Sequence, residues 1–441
     1  MNDQLGKTEE IVKKAKKLGA DEVIAKTTIG RYRQLRFSNN QVDITVAWND
    51  YVTDVVLAWK KRVVATLMHD FVDVDAGLKQ LMKLAKVSKE SPTFKGFAKG
   101  KFRYAKSKAD KKLPDLEKPT DYVFEAIDAA KKEAGSKIDS GGILFSKFED
   151  IYLSSSEGPV GTDARSAVEL SIRAFSEREA SGHGVECSST LKGFEPSKAG
   201  EKAGMIAKMA KNPKLGNEGV YDVVFDPLIF GSLLGVWAGM ASAFSIMTQT
   251  SVFVNSLGKK VAPESITLKD NPATYSMSNR VFDDEGVPTK ENVFIDHGVL
   301  KTYLHNTSTA KIFKTKTTAN AGLISPTPWN VELEAGNRGK GELFHEVKKG
   351  LYLTNTWYTR FQNSAKGDFS TIPRDGIFLI DKGEIKQSLK DLRISDNVFA
   401  MLGNIAAVSK GRQHVHWWGE VDPPALSAYV LMNNVHMTKS K

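Results

Sequence analysis

Four groups of residues in this sequence have types and spacings that could do chemistry. His345-Glu346 opens like a zinc-protease motif, but Lys349 and Gly350 stand four and five positions after the histidine, so HExxH fails and a solvated helix face is the better reading. His414 and His416, with Glu420 near, lie two apart; on a strand they share one face and could hold a metal. The adjoining Trp417-Trp418 points instead to a surface where aromatics meet another chain. Cys187 with His183 could form a thiol nucleophile and its base. The strand-like alternation around this lone cysteine fits a small packing residue better. Either pair would make the chain a stand-alone metal or thiol hydrolase.

The fourth group is basic. The chain has 441 residues and a formal charge of +10, yet most of the excess sits between Lys86 and Lys112, where ten basic residues face only Glu90 and Asp110. Lys99, Lys101, Arg103, Lys106 and Lys108 are interleaved there with Phe94, Phe97, Phe102 and Tyr104. Charge and stacking aromatics together make single-stranded nucleic-acid sites. They also make arms whose aromatics pack on their own domain while the lysines face water. Without an RNP, KH or helix-turn-helix signature the second reading is preferred, and a nucleic-acid-associated regulator is kept as an alternative.

The elements that must position these residues read as an α+β chain. Residues 4–18 have helical periodicity, followed by alternating strands as far as RVVATLMH and a helix over 74–87, which closes a unit at 1–87. Residues 88–118 form a Lys-rich arm or linker. A second helix, sheet and helix unit spans 119–215, and a strand-rich domain fills 216–441. The architecture expected is helix-flanked antiparallel sheet units followed by a strand-rich C-terminal domain. From Pro227 to Gly258 there is no charged residue, a length able to span a bilayer. Asp226-Pro227 reads as a helix cap, serines dilute the run, and no basic cluster flanks it, so a buried helix over 228–244 is expected instead of a membrane span. Gly231, Gly235 and Gly239, with Ala243, would let that helix pack closely. A single cysteine and a polar start, MNDQLGKTEE, point to the cytoplasm.

The C-terminal half also carries landmarks in a fixed order: DVVFDPLIFGSLLG, SLGKKVAPESITLKDNP, FDDEGVPTKENVFIDHGVLKTYLHNTSTA, then NSAKGDFS and GIFLIDKGEIK. Together with RYRQLRFSNNQVDITVAWND near the start, they resemble the TldD/PmbA family of metalloprotease-related proteins, once called modulators of DNA gyrase. The resemblance covers nearly the whole chain. TldD-type members carry an HExxxH zinc motif on a helix; TldE/PmbA-type members lack it. Here the positions matching the two histidines are Gly235 and Met240, and the one matching the glutamate is Val236. A catalytic zinc needs about three N, O or S ligands and a carboxylate to take a proton from its water, which these three side chains do not supply.

The resemblance therefore implies a non-catalytic subunit with no cofactor of its own. It would pair with a TldD-type subunit that carries the zinc, around a cavity that admits unfolded peptides. A homodimer remains open. Gly367, Asp368 and Ser370 resemble a family loop near that cavity; a turn in which the aspartate holds backbone amides is an equal reading.

Overall fold

The computed structural model describes residues 2–69, 73–273, 277–417 and 420–440; Trp418 lies outside them. The chain opens with α1 (Asn2–Lys17), β1 (Glu22–Ser38), β2 (Gln41–Trp59), β3 (Arg62–His69) and α2 (Val74–Val87). It then repeats the order with α3 (Pro119–Ala134), β4 (Asp139–Ser155), β5 (Val160–Glu177), β6 (Ala180–Ser188) and α4 (Pro196–Met209). Each set of three strands is an antiparallel meander; the runs DEVIAKTT and RYRQLRFS, which read as separate strands, merge into β1, and QVDITVAW and VTDVVLAW merge into β2. The two meanders join through β1 and β4 into one six-stranded sheet of order β3-β2-β1-β4-β5-β6, symmetric about the central pair.

One face of this sheet carries all four helices. Ile11, Val12 and Ala15 of α1 and Leu78, Leu81 and Met82 of α2 pack on Val23, Val55 and Leu57. Val123 and Ile127 of α3 and Ala199 and Ala203 of α4 pack on Leu144, Val168 and Leu170. Gly182 and Gly184 let α4 lie against β6: a Cβ on Gly184 would sit 2.0 Å from the Ala199 carbonyl oxygen.

The C-terminal half is built on a 14-stranded sheet. After the two-residue β7 (Lys214–Leu215), β8 (Gly219–Phe225) runs between the strands Lys349–Leu353 and Val421–Lys439. It delivers the chain into α5 (Pro227–Met240), the helix at the centre of the largest apolar core. No helix among the described residues is long and apolar enough to cross a membrane.

The uncharged helix is shorter than the sequence periodicity suggests. It stops at Met240 because the chain turns aside to pair with residue 304: Leu304 N donates to Ala241 O and Ala243 N donates to Leu304 O, each at 2.9 Å. Ser242 Oγ meanwhile donates to Pro326 O at 2.8 Å. A separate short helix, Ala243–Met247, follows.

Candidate functional site

Helix α5 is anchored at its start. Asp226, fully buried, accepts from Leu228 N at 3.0 Å as the N-cap, from Lys202 Nζ of α4 at 2.6 Å and from Tyr352 Oη at 2.9 Å. The cap therefore also fixes α5 against the six-stranded sheet's helical layer. The glycine row packs unevenly. A Cβ on Gly231 would lie 2.5 Å from Val415 Cγ2 and one on Gly235 3.3 Å from Pro423 Cδ, whereas one on Gly239 would meet nothing within 4 Å. Close packing thus accounts for the first two glycines and not the third.

Gly235 and Val236 are half-buried on this helix, and Met240 is buried. Between them Trp237 is sealed in the core and donates from Nε1 to Val398 O at 3.1 Å. Val398 N in turn donates to Gly367 O at 2.9 Å, and Asn397 Nδ2 donates to Asp368 Oδ1 at 2.9 Å. The structure thus links the helix positions to the Gly367–Ser370 segment through one hinge of backbone at 397–398. Asp368 thus accepts from a side-chain amide, and no backbone amide among the described residues is seen bonded to its carboxylate. Gly367 has φ +82°, and Ser370 Oγ accepts from Gln362 Nε2 at 3.0 Å. The strand Asp368–Ile372, which begins just after Gly367 and bears Asp368 and Ser370, pairs on one side with Leu392–Asn397 and on the other with Trp357–Asn363. The latter has no second neighbour among the described residues.

His414 and His416 lie on the strand Ile405–Trp417 but have separate surroundings. The ring of His416 bonds through Nδ1 to Glu169 of β5, while Nδ1 of His414 is enclosed with no partner, and burial and Arg412 push that imidazole below its ordinary pKa. Among the described residues no three His, Cys, Asp or Glu side chains are grouped to hold a metal ion. Cys187 is buried on β6, and burial and the nearby Glu169 push its thiol well up, away from the thiolate a nucleophile needs. His183 makes its hydrogen bonds elsewhere.

Those bonds belong to a buried polar seam that the sequence reading missed. His183 Nε2 lies 2.9 Å from Ser171 Oγ, and Nδ1 lies 3.2 Å from Asn355 Nδ2. Asn355 Nδ2 donates to Asp375 Oδ2 at 2.7 Å, and Arg173 pairs with Asp375 at 2.6 Å. The ring of His183 sits edge-on to Trp417, 4.5 Å between centroids, and Trp417 meets Trp357 at 4.6 Å. Burial pushes His183 down to about 4, so the ring is neutral at pH 7. Burial would raise the Asp375 carboxyl, but Arg173 and the hydrogen bonds hold it below its usual value. The seam ties β5 and β6 to the C-terminal half through Asn355 and Asp375. Its sequence signal was Arg173, a charge inside the apolar strand AVELSIRAF.

The aromatic residues of the basic arm pack against the chain itself. Phe97 is buried and meets Phe94 edge-on, and Tyr104 meets Phe282 edge-on while donating from Oη to Gly286 O at 2.8 Å. Lys99, Lys101, Arg103, Lys106 and Lys108 are exposed; Lys99 pairs with Glu157 at 3.1 Å and Lys108 reaches Ala273 O at 2.5 Å.

Comparison with known proteins places this architecture. The PmbA/TldA metallopeptidase C-terminal domain model matches residues 218–439, and the central-domain model of the same family matches 110–211. The chain belongs to the PmbA/TldD metallopeptidase family. A metalloprotease of Methanocaldococcus jannaschii is 32% identical over 200 residues, covering 44% of each chain. A metalloprotease PmbA homolog of Haemophilus influenzae is 24% identical over 306 residues, covering 68% of this chain and 66% of that one. The match to the first of these thus spans less than half of that relative's length. In fold, the chain is similar to TldE from Thermococcus kodakarensis, with a TM-score of 0.85 at 21% identity over 98% of this chain and 99% of that one.

The zinc of a metallopeptidase does not fit the α5 positions of this PmbA/TldD-family chain. Gly235 and Val236 have no donor atom, the thioether of Met240 is a soft, uncharged ligand, and a side chain at 235 would begin against Pro423.

Proposed function

We propose that this chain is the non-catalytic, TldE/PmbA-type subunit of a heteromeric metalloprotease acting on unfolded peptides. The observation that carries the reading is the set Gly235, Val236 and Met240, which offers one soft thioether and no side-chain nitrogen or oxygen, on a helix that is otherwise well formed, capped and packed. The scaffold is intact where the chemistry is missing. In this role the chain holds no zinc and cleaves nothing by itself. A TldD-type partner supplies the metal, and this chain walls off that site and helps to select substrate.

The one-sided strand Trp357–Asn363 suits the second task. Apart from Tyr358 N, which donates to Glu420 Oε1 at 2.8 Å, its outer edge has no strand neighbour among the described residues and can pair with an extended peptide almost regardless of sequence. The assembly acts in the cytoplasm.

The test is to purify the chain alone and together with a TldD-type subunit, measuring complex formation, bound zinc and cleavage of an unstructured peptide. The reading expects a complex, with zinc and cleavage only when the partner is present. Zinc-dependent cleavage by this chain alone overturns it, and absence of a complex overturns the subunit role.

A further inference from the structure

A small pocket of about 140 Å³ lies between the basic arm and the loop around residues 272–289, far in sequence from the α5 positions. It is lined by Lys106 and Lys108 from the arm, Asp163 from β5, and Asn279, Arg280 and Thr289 among others. Its volume corresponds to roughly four or five waters at about 30 Å³ each.

The polar groups around it are unbalanced. Asn279 is only 5% exposed, yet its Nδ2 has no hydrogen-bond partner. Arg280 lies over Trp329, its guanidinium carbon 3.5 Å from the ring centroid, and its enclosed Nε is also without a partner. Among the described residues Arg280 makes no ion pair. A third enclosed donor, Nη2 of Arg165, is unpartnered beside Asp163.

Asp163 does not relieve this imbalance. Its Oδ1 accepts from Ser107 Oγ at 2.7 Å and Ala164 N at 2.9 Å, and its Oδ2 from Arg165 Nε at 3.1 Å and Val281 N at 3.2 Å. Both oxygens are saturated. A buried donor left unpaired carries its full desolvation penalty, and a buried cation carries more. Burial and the neighbouring Arg165 accordingly push Arg280 down to about 9. Asp284, Asp163 and Asp270 lie near enough to favour its charged form, yet none accepts from its Nε; the missing element is an acceptor for these enclosed donors.

We propose that this pocket is a binding site for a small oxyanion, held by Asn279 Nδ2 and the edge of the Arg280 guanidinium and attracted by Lys106 at the rim. Two sources share this chemistry: free inorganic phosphate, and the carboxylate at the C-terminus of a peptide. A terminal carboxylate is planar and matches the fork of an arginine; a phosphate offers the same pair of oxygens with more charge.

Calorimetry on the full chain at constant ionic strength tests the site, using three probes: inorganic phosphate, tri-alanine with a free C-terminus, and the same tripeptide amidated. Saturable binding is expected for phosphate or for the free tripeptide. Phosphate alone assigns the free ion, and the free but not the amidated tripeptide assigns the chain terminus. Asn279→Leu, which keeps the volume and removes the donor, is expected to weaken binding about tenfold or more. Arg280→Gln should abolish it. Lys106→Gln lies on the exposed arm and leaves the fold alone; it should weaken binding a few-fold, which keeps the test decisive if either buried variant fails to fold. No saturable binding by any probe, equal binding of the amidated tripeptide, or affinity unchanged in Asn279→Leu and Lys106→Gln, overturns the proposal.

Discussion

The two meanders of the six-stranded sheet share a topology, yet the face opposite their helices is covered along β5 and β6 and left open at one end of β1, β2 and β4. On β5 and β6 that face carries Glu169, Ser171, Arg173, His183 and Cys187. It is closed by the C-terminal half through Asn355, Asp375, His416 and Trp417. On β1, β2 and β4 the same face carries Tyr32, Ile44, Val46, Trp48 and Phe145. There Ile44 is 50% exposed and Val46 44%. Tyr32 stacks on Trp48 at 5.3 Å and its Oη donates to Glu149 at 3.0 Å, so the aromatics on the open side cover one another. The difference shows that the pairing of strands did not decide burial. The covered stretches are those with matching side chains beyond the sheet: the polar seam on β5 and β6, and Ile24, Val56, Ile151 and Leu153, which are buried with Phe97 and Phe282.

That contrast can be broken most sharply at Asp375. Asp375→Ala leaves Arg173 and Asn355 without their buried acceptor and is expected to destabilise the chain by about 3 kcal/mol or more in urea unfolding. A loss under about 1 kcal/mol would mean that the seam does not join the halves.

The next effect is on pH. His183 has a folded-state pKa of about 4, below its ordinary 6.5, so as pH falls the unfolded chain takes up the proton first. Its contribution is complete above about pH 6.5 and is lost progressively toward pH 4, by up to about 3 kcal/mol. Asp375, held below its usual value by Arg173, loses its own contribution only as the pH falls further. His183→Gln should flatten the slope of unfolding free energy between pH 6.5 and 4, and an unchanged slope would assign it to another group.

The smallest effect is expected on the open side. Val46→Ser removes a half-exposed side chain with room around it and should change stability by under about 1 kcal/mol. A loss as large as that of Asp375→Ala would show that the two sides are not different after all.

Much of the fold was legible because it is local. Alternation marked the stretches that form β1 to β6 but broke β1 and β2 each in two, the Asp226-Pro227 pair marked the start of α5, and the landmark order pointed to the family. Long-range features were not legible. Nothing in either strand says that β1 pairs with β4, since both alternate alike and either could have been an edge. Helix α5 reads as continuous to residue 244 because its interruption comes from pairing with Leu304, sixty residues on. Arg173 and Asp375 are 202 positions apart, and only an arginine in an apolar strand hinted at a partner. At the candidate site, the residue types at 235, 236 and 240 were readable at once. Their connection to Gly367 and Asp368 through Trp237 and Val398 required the structure.

The central claim is that α5 keeps a peptidase scaffold without its metal chemistry. It is tested most directly by measuring zinc per chain and cleavage of an unstructured peptide for this protein alone and for its complex with a TldD-type subunit. The account predicts no stoichiometric zinc and no cleavage alone, and both in the complex. Stoichiometric zinc with peptide cleavage in the isolated chain would contradict it.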